Sequence, residues 1–281
     1  MTTDEKLSAI LAAVQTDPGN RGLARDPHDN LFTATAGQFQ AACRSIAEHP
    51  NPVVRIYTGF YIPTADPPAF ETDGPLGTLH LTSVLRHIGI AFQVRGEPTI
   101  ERVVGYGDYD SHFTHLIAIE RPGPTQDGTF RTMHGRNISA FHRAVHSLYE
   151  ADYVTGAVTI GVGDGGNEIG MGQISPETIA ANIPDGAAVH CRVSTDFLIV
   201  AGVSNWGAYA LGAGVALLRG RAADVLEVFA PDADLPVLRV MVRVGPLVDG
   251  VTGRQEATVD GLPWDVYAAP LLRIREILEL P

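Results

Sequence analysis

Val158-Thr159-Ile160-Gly161-Val162-Gly163-Asp164-Gly165-Gly166-Asn167-Glu168-Ile169-Gly170-Met171-Gly172 decides how the chain is read. Val158-Thr159-Ile160 is a short apolar strand, and from Gly161 onward the run is a glycine-rich loop. Five glycines fall within residues 163–172. That density implies left-handed backbone positions or close approach of the backbone to something.

The same alternation extends outward in both directions. Upstream, helical spacing of Leu7, Ile10, Leu11 and Val14 predicts a helix over 4–15, and Asp17-Pro18-Gly19-Asn20 breaks it. A second helix is expected over 36–48, a strand over 53–58 and a helix from Pro75 through Ile88. Strands follow at 90–94 and 114–119, and Ser139 caps a helix running to about Glu150. Downstream, a helix over 176–183 and strands over 189–193 and 197–203 are expected. Further helices are expected at 206–219, 221–229, 235–246 and 265–279. Strands alternate with helices, and several strands are apolar on both faces. The expected fold is therefore α/β: a mainly parallel central sheet flanked by helices, three-layered and Rossmann-like. Residues 1–281 read as a single domain, with 1–18 a separable N-terminal helix.

Composition limits the function classes. The 281 residues are 45% hydrophobic, enough for a core and against global disorder. Acidic residues number 32 against 20 basic, a net charge of −12. That balance argues against an electrostatic nucleic-acid or anionic-membrane binder. Cys43 and Cys191 alone provide neither a disulfide framework nor a thiolate zinc site, which suits a reducing compartment. The start, MTTDEKLSAI, does not resemble a signal peptide, so a cytoplasmic location is expected. Phe197 to Leu218 is uncharged and long enough to test as a membrane span. Its middle, Gly202-Val203-Ser204-Asn205-Trp206-Gly207, is better explained by a strand, a polar loop and a small-residue helix.

Ligands of such sheets bind outside the carboxyl ends of the strands. Polar, glycine-rich segments recur there: Thr58-Gly59-Phe60, Glu120-Arg121-Pro122-Gly123, Gly163 to Gly172 and Gly202 to Gly207. In the 163–172 loop, exposed amides can form an anion-binding nest. Asp164 and Glu168 offer oxygen ligands suited to Mg²⁺ or Mn²⁺. Glu71, Asp73, Glu120, Asp196, Asp249 and Asp260 are further acidic residues near loops, a source of metal ligands and a general acid/base pair. Arg121, Arg136 and Arg254 flank the same loops and are candidates to clamp a carboxylate.

Competing chemistries fit less well. Gly161, Gly163 and Gly166 satisfy a formal G-x-G-x-x-G after a strand. The residues after it make a poor helix start, and Asp164 would repel phosphate, so no nucleotide cofactor is expected. His142 and His146 are one helical turn apart, but Arg143 stands where a zincin has Glu and no third ligand is evident. His190 and Cys191, as strand neighbours, point to opposite faces. No G-x-S-x-G elbow is present.

Four segments together carry a resemblance. Glu71-Thr72-Asp73-Gly74-Pro75, Glu120-Arg121-Pro122-Gly123, the Gly163–Gly172 decapeptide and Asp249-Gly250-Val251-Thr252-Gly253 resemble, in order, the C-terminal domain of the D-glutamate cyclase family. Two-domain members of that family carry a separate N-terminal domain resembling hydro-lyases, which is not expected within these residues. The resemblance implies cyclisation of D-glutamate, or a related small acidic amino acid, to 5-oxo-D-proline with loss of water. A metal-dependent hydrolase or a non-catalytic binder of a small anionic metabolite stays open on the residues alone.

The expected site follows. Glu71, Asp73, Glu120 and Asp164 are the catalytic candidates. Thr58, Gly59, Arg121, Arg136, Gly165, Gly166, Asn167, Asn205 and Arg254 are the substrate-binding candidates. Asp164 and Glu168 are the metal ligands, for Mg²⁺ or Mn²⁺. The partner is a small anionic substrate, with homo-oligomerisation open. Glu71, Asp73, Glu120, Asp164, Glu168 and Asn205 should converge on one cleft at the carboxyl edge of the sheet.

Overall fold

The computed structural model describes residues 1–105, 107, 112–150, 156–230 and 232–281. Its centre is a five-stranded sheet built from β1 (Val53–Thr58), β4 (Ala91–Arg95), β5 (His115–Ile119), β6 (Val158–Gly163) and β7 (Phe197–Val200). The order is β4-β1-β5-β6-β7, and each neighbouring pair is parallel. A small antiparallel pair, β2 (Tyr61–Ile62) and β3 (Ala69–Phe70), sits in the connection after β1.

The two faces of the sheet bury different sets. Ile117, Ile119, Ile160, Val162 and Ile199 join one core with residues of the helices Thr3–Val14, Gln38–Glu48, Pro75–His87, Ser204–Leu218 and Trp264–Glu279. Their neighbours Leu116, Ala118, Leu198 and Val200 face the other core, which is closed by Leu31, Ile179 and the loops around Met171. This alternation is the period of a strand covered on both sides. The α/β expectation is met, although short helices and loops cover the second face. The uncharged run from Phe197 becomes β7 and the helix Ser204–Leu218, which is buried through Ala216. Among the described residues no helix is long and apolar enough to cross a membrane.

Four expectations are corrected. The segment from Ser139 to Glu150 forms two 3₁₀ turns, Ser139–Phe141 and His146–Tyr149, because tertiary bonds take its polar groups. Arg143 N donates to Glu97 Oε1, and His142 Nε2 accepts from Tyr61 N. Residues 189–193 are not a strand. Their backbone stitches loops instead: Cys191 N donates to Gly166 O, Arg192 N to Pro124 O, and Val193 O accepts from Gly170 and Gly172. The 221–229 helix is reduced to a 3₁₀ turn at Ala222–Val225. The N-terminal helix, expected to be separable, buries Leu7, Ile10 and Val14 completely in the main core. Gly202 N donates to Val14 O, which ties the end of that helix to the loop after β7.

Strand β6 runs through Gly163 rather than stopping at Ile160. A Cβ on Gly161 would lie 2.6 Å from Ile169 O, so the folded-back loop can pack on the strand only over glycine.

Candidate active site

Because the sheet is parallel, Thr58, Ile119, Gly163 and Val200 end at one edge. Glu120 follows β5 directly and Asp164 follows β6 directly. They reach a cavity of about 430 Å³ that also receives Glu71, Asp73 and Asp260. Among the described residues these are five buried carboxyl groups on one cavity. The convergence expected of Glu71, Asp73, Glu120 and Asp164 is observed. Glu168 and Asn205 stand directly behind them and hold the lining in place.

Each acid is set by local backbone chemistry. Asp73 accepts from Ser204 N at 3.1 Å and Asn205 N at 2.8 Å, the first amides of the helix Ser204–Leu218. Asn205 Oδ1 in turn accepts from Gly74 N and Gly77 N at the start of the helix Pro75–His87. Glu120 has a left-handed backbone (φ +43°), and its Oε2 accepts from Ser204 Oγ at 2.6 Å. Asp249, of the Asp249–Gly253 motif, accepts from Val251 N, Thr252 N, Thr258 Oγ1 and Gly261 N, which shapes the turn presenting Asp260.

The glycine-rich loop differs from expectation. Its amides do form a cradle, but the chain's own Glu168 fills it. Glu168 Oε1 accepts from Asp164 N at 2.9 Å and Oε2 from Gly166 N at 2.7 Å. The nest expected to receive a substrate carboxylate is therefore closed by a side chain. Asn167 lines the cavity and donates to Arg131 O. Gly165 and Gly166 are buried but do not line it. The next helix, Pro176–Asn182, starts ten residues beyond Gly166, so the dinucleotide geometry is absent at this loop.

The arginine candidates separate. Arg121 is fully buried and bidentate on Glu97 at 2.5 and 2.7 Å, with Arg143 O as a further partner. Arg254 is exposed and pairs with Glu256 at 3.1 Å. Neither lines the cavity, so neither is the expected clamp. Arg136 is exposed at the rim, beside His134. Thr58 and Gly59 are also corrected: Thr58 packs beneath Gly74, and Gly59 lies against Ile100. His142 Nδ1 lies 3.5 Å from Glu97, outside any zinc constellation with His146.

Sequence reading missed Arg21. Its Nη1 pairs with Asp164 and its Nη2 with Asp260 at 2.8 Å. A lone arginine in a Pro-Gly turn carries no motif; the one available signal was a basic residue just after a helix break.

Charge is concentrated. Burial first, then the Asp260 and Asp73 charges, pushes the Glu71 carboxyl well above the usual range. Burial followed by Glu168 and Asp164 does the same to Glu120. Asp73 is pushed up to about 7 by burial and then by Asp260. Burial also raises Asp164 and Asp260, against the pull of Arg21. Burial opposes the Arg21 charge, but Asp164 and Asp260 outweigh it and strengthen its hold on the proton. Such a group of acids can accept and return protons near neutrality.

The carboxylate oxygens also fit a divalent cation. Asp73, Asp164 and Asp260 bring ligand atoms within 4.8 Å of one another, and so do Glu120, Asp164 and Glu168. Asp164 Oδ2 is buried with no hydrogen-bond partner among the described residues.

The family model for D-glutamate cyclase-like C-terminal regions matches residues 10–105 and 91–275. The human protein named D-glutamate cyclase, mitochondrial, is 30% identical over 256 residues, covering 78% of this chain and 40% of that protein. The chain thus spans less than half the length of this relative.

Proposed function

Since the chain belongs to the D-glutamate cyclase-like C-terminal family, we propose that it is a hydro-lyase that cyclises D-glutamate, or a related small acidic amino acid, to 5-oxo-D-proline and water. The observation that carries this reading is the set of five buried carboxyl groups on one cavity.

Ring closure joins the α-nitrogen to the side-chain carboxyl carbon and breaks one bond from that carbon to oxygen. The ammonium gives up two protons. The departing oxygen takes two and leaves as water, so charge and oxidation state balance. The enzyme must therefore move protons over a short path and needs no redox partner. Asp73, near 7, is suited to take a proton from the ammonium. Glu71 or Glu120, held protonated by burial, is suited to supply one to the departing oxygen. The acidic wall attracts the ammonium, and the five-membered ring is favoured by proximity.

A divalent ion, Mg²⁺ or Mn²⁺, belongs to the same proposal. Asp164 and Asp260 would hold it, leaving Asp73 as the base, and it would supply charge neutralisation at the attacked carboxylate.

The test is to incubate metal-stripped protein with D-glutamate, L-glutamate and both 5-oxoprolines, with and without Mn²⁺ or Mg²⁺, and to separate the products by chiral chromatography. Formation of 5-oxo-D-proline from D-glutamate is expected. Saturable binding without turnover would replace the enzyme by a binding protein for small anions.

A further inference from the structure

We propose that Arg21 receives the substrate carboxylate under attack and is a catalytic residue; this rests on the cyclase reading above. A carboxylate is a poor electrophile until its charge is neutralised. A substrate with two carboxylates must also enter a chamber already lined by acids. Among the described residues, two guanidiniums line that chamber, Arg21 and Arg136, and Arg21 is the one seen in ion pairs with its acids. Arg136 and His134 are exposed at the mouth.

The guanidinium is placed for this task. It touches Asp164, directly after β6, and Asp260, in the turn shaped by Asp249. Two ion pairs use two of its five donors, and its planar fork matches a carboxylate. The side chain keeps 21% exposure and lines the cavity. Arg21 gives up no proton and keeps its charge throughout ring closure.

The turn that delivers Arg21 is built to hold it. Both Asp17 carboxylate oxygens accept backbone amides: Arg21 N at 2.8 Å, Gly22 N at 2.8 Å and Leu23 N at 3.1 Å. Gly22 is left-handed (φ +95°), and a Cβ there would overlap the Asn182 carbonyl. The turn is thereby locked onto the helix Pro176–Asn182, and Arg21 projects over the acids.

The experiment compares wild type, Arg21→Lys and Arg21→Ala, with circular dichroism and thermal melting as controls of folding. Glutarate, a dicarboxylate without an amine, is the binding probe in calorimetry, and D-glutamate is the turnover substrate. Arg21→Lys keeps the charge against Asp164 and Asp260, so it tests the fork even where Arg21→Ala fails to fold. Expected are a loss of glutarate affinity and of turnover of about 10-fold or more in Arg21→Lys. Added guanidinium should partly restore turnover in a folded Arg21→Ala. Wild-type turnover and wild-type glutarate affinity in Arg21→Lys would overturn the proposal. If wild type leaves D-glutamate unchanged while Arg21→Lys still loses glutarate, the cyclase reading falls and the carboxylate role of Arg21 stands.

Discussion

Asp73 and Asn205 cap each other's helices. Asp73 accepts from the backbone amide of Asn205 at 2.8 Å, and Asn205 Oδ1 accepts from Gly74 N, the residue after Asp73, at 2.8 Å. The exchange joins the starts of the helices Pro75–His87 and Ser204–Leu218 under the floor of the acidic cavity. Both residues are buried, so each amide depends on its partner. Asn205→Ala removes the acceptor from Gly74 N and Gly77 N. We expect a loss of roughly 2 kcal/mol in urea denaturation, from a lost cap and buried unsatisfied donors. Turnover should fall with it, because Glu71 and Asp73 sit on the loosened segment. A variant as stable as wild type would show that the exchange does not hold the floor.

Glu168→Gln tests whether Glu168 serves the loop or the chemistry. Its two oxygens each accept an amide from its own loop. A Gln at this position faces one of those amides with an NH₂ group. The expected result is a loss of about 2–3 kcal/mol of stability, the range for hydrogen bonds to a charged group plus an unpaired donor. Equal stability with reduced Mn²⁺ affinity in calorimetry would assign Glu168 to a metal instead.

What the sequence showed and hid follows from where the forces originate. The strands over 53–58 and 115–119 were legible because their apolar runs are local and meet the same pattern on their neighbours. Glu120 and Asp164 were legible because a parallel sheet forces strand ends to one edge, whereas Glu71 and Asp73 follow β3 of the small antiparallel pair and reach the same cavity from the connection after β1. The 139–150 helix and the 189–193 strand were misread because Glu97, Tyr61, Gly166 and Pro124, distant in the chain, take up their polar groups. Glu168 looked like a ligand because nothing in the spacing reveals that its carboxylate folds back onto Gly166 N. Arg121 and Arg21 look alike in sequence; only the fold pairs one with Glu97 and the other with Asp164.

Titration of Asp73 should lower stability as pH rises through the neutral range. Asp73 ionises near its ordinary value of 3.8 when unfolded and near 7 when folded. The folded state therefore binds more protons between those values. A raised folded pKa gives stability that is complete below the unfolded pKa and lost as pH rises through the folded one. Glu71 and Glu120 shift in the same direction and add to the slope. While Asp73 alone titrates, the slope is about −1.4 kcal/mol per pH unit. Urea melts of wild type and Asp73→Asn at pH 5 and pH 8 check this: His115 and His142, pulled down to about 4 by burial, add the opposite slope to both proteins alike, and wild type should lose more stability, or gain less, from pH 5 to pH 8 than Asp73→Asn. The same pH dependence in both proteins would mean that Asp73 is not desolvated as described.

The arginines separate scaffold from surface in one series. Arg121 is fully buried against Glu97, whose carboxyl is held well below the usual range: burial opposes its charge, and hydrogen bonds from His142 and Arg121 outweigh that. Arg121→Met removes one partner and strands the other in a site closed to water. Breaking a buried pair in this way costs about 3–5 kcal/mol. The damage should reach the cavity, because Arg121 follows Glu120 directly and Glu97 also fixes Arg143 N. Arg254→Ala is the control: its partner is Glu256, both lie in solvent reach, and exposed pairs contribute about 0–1 kcal/mol. Arg254→Ala should retain wild-type melting and turnover, while Arg121→Met loses most of both. Replacing Arg121 and Glu97 together, by Met and Gln, separates charge from packing. If the double variant recovers stability without recovering turnover, the ion pair positions Glu120; if it recovers both, the pair is dispensable to the chemistry.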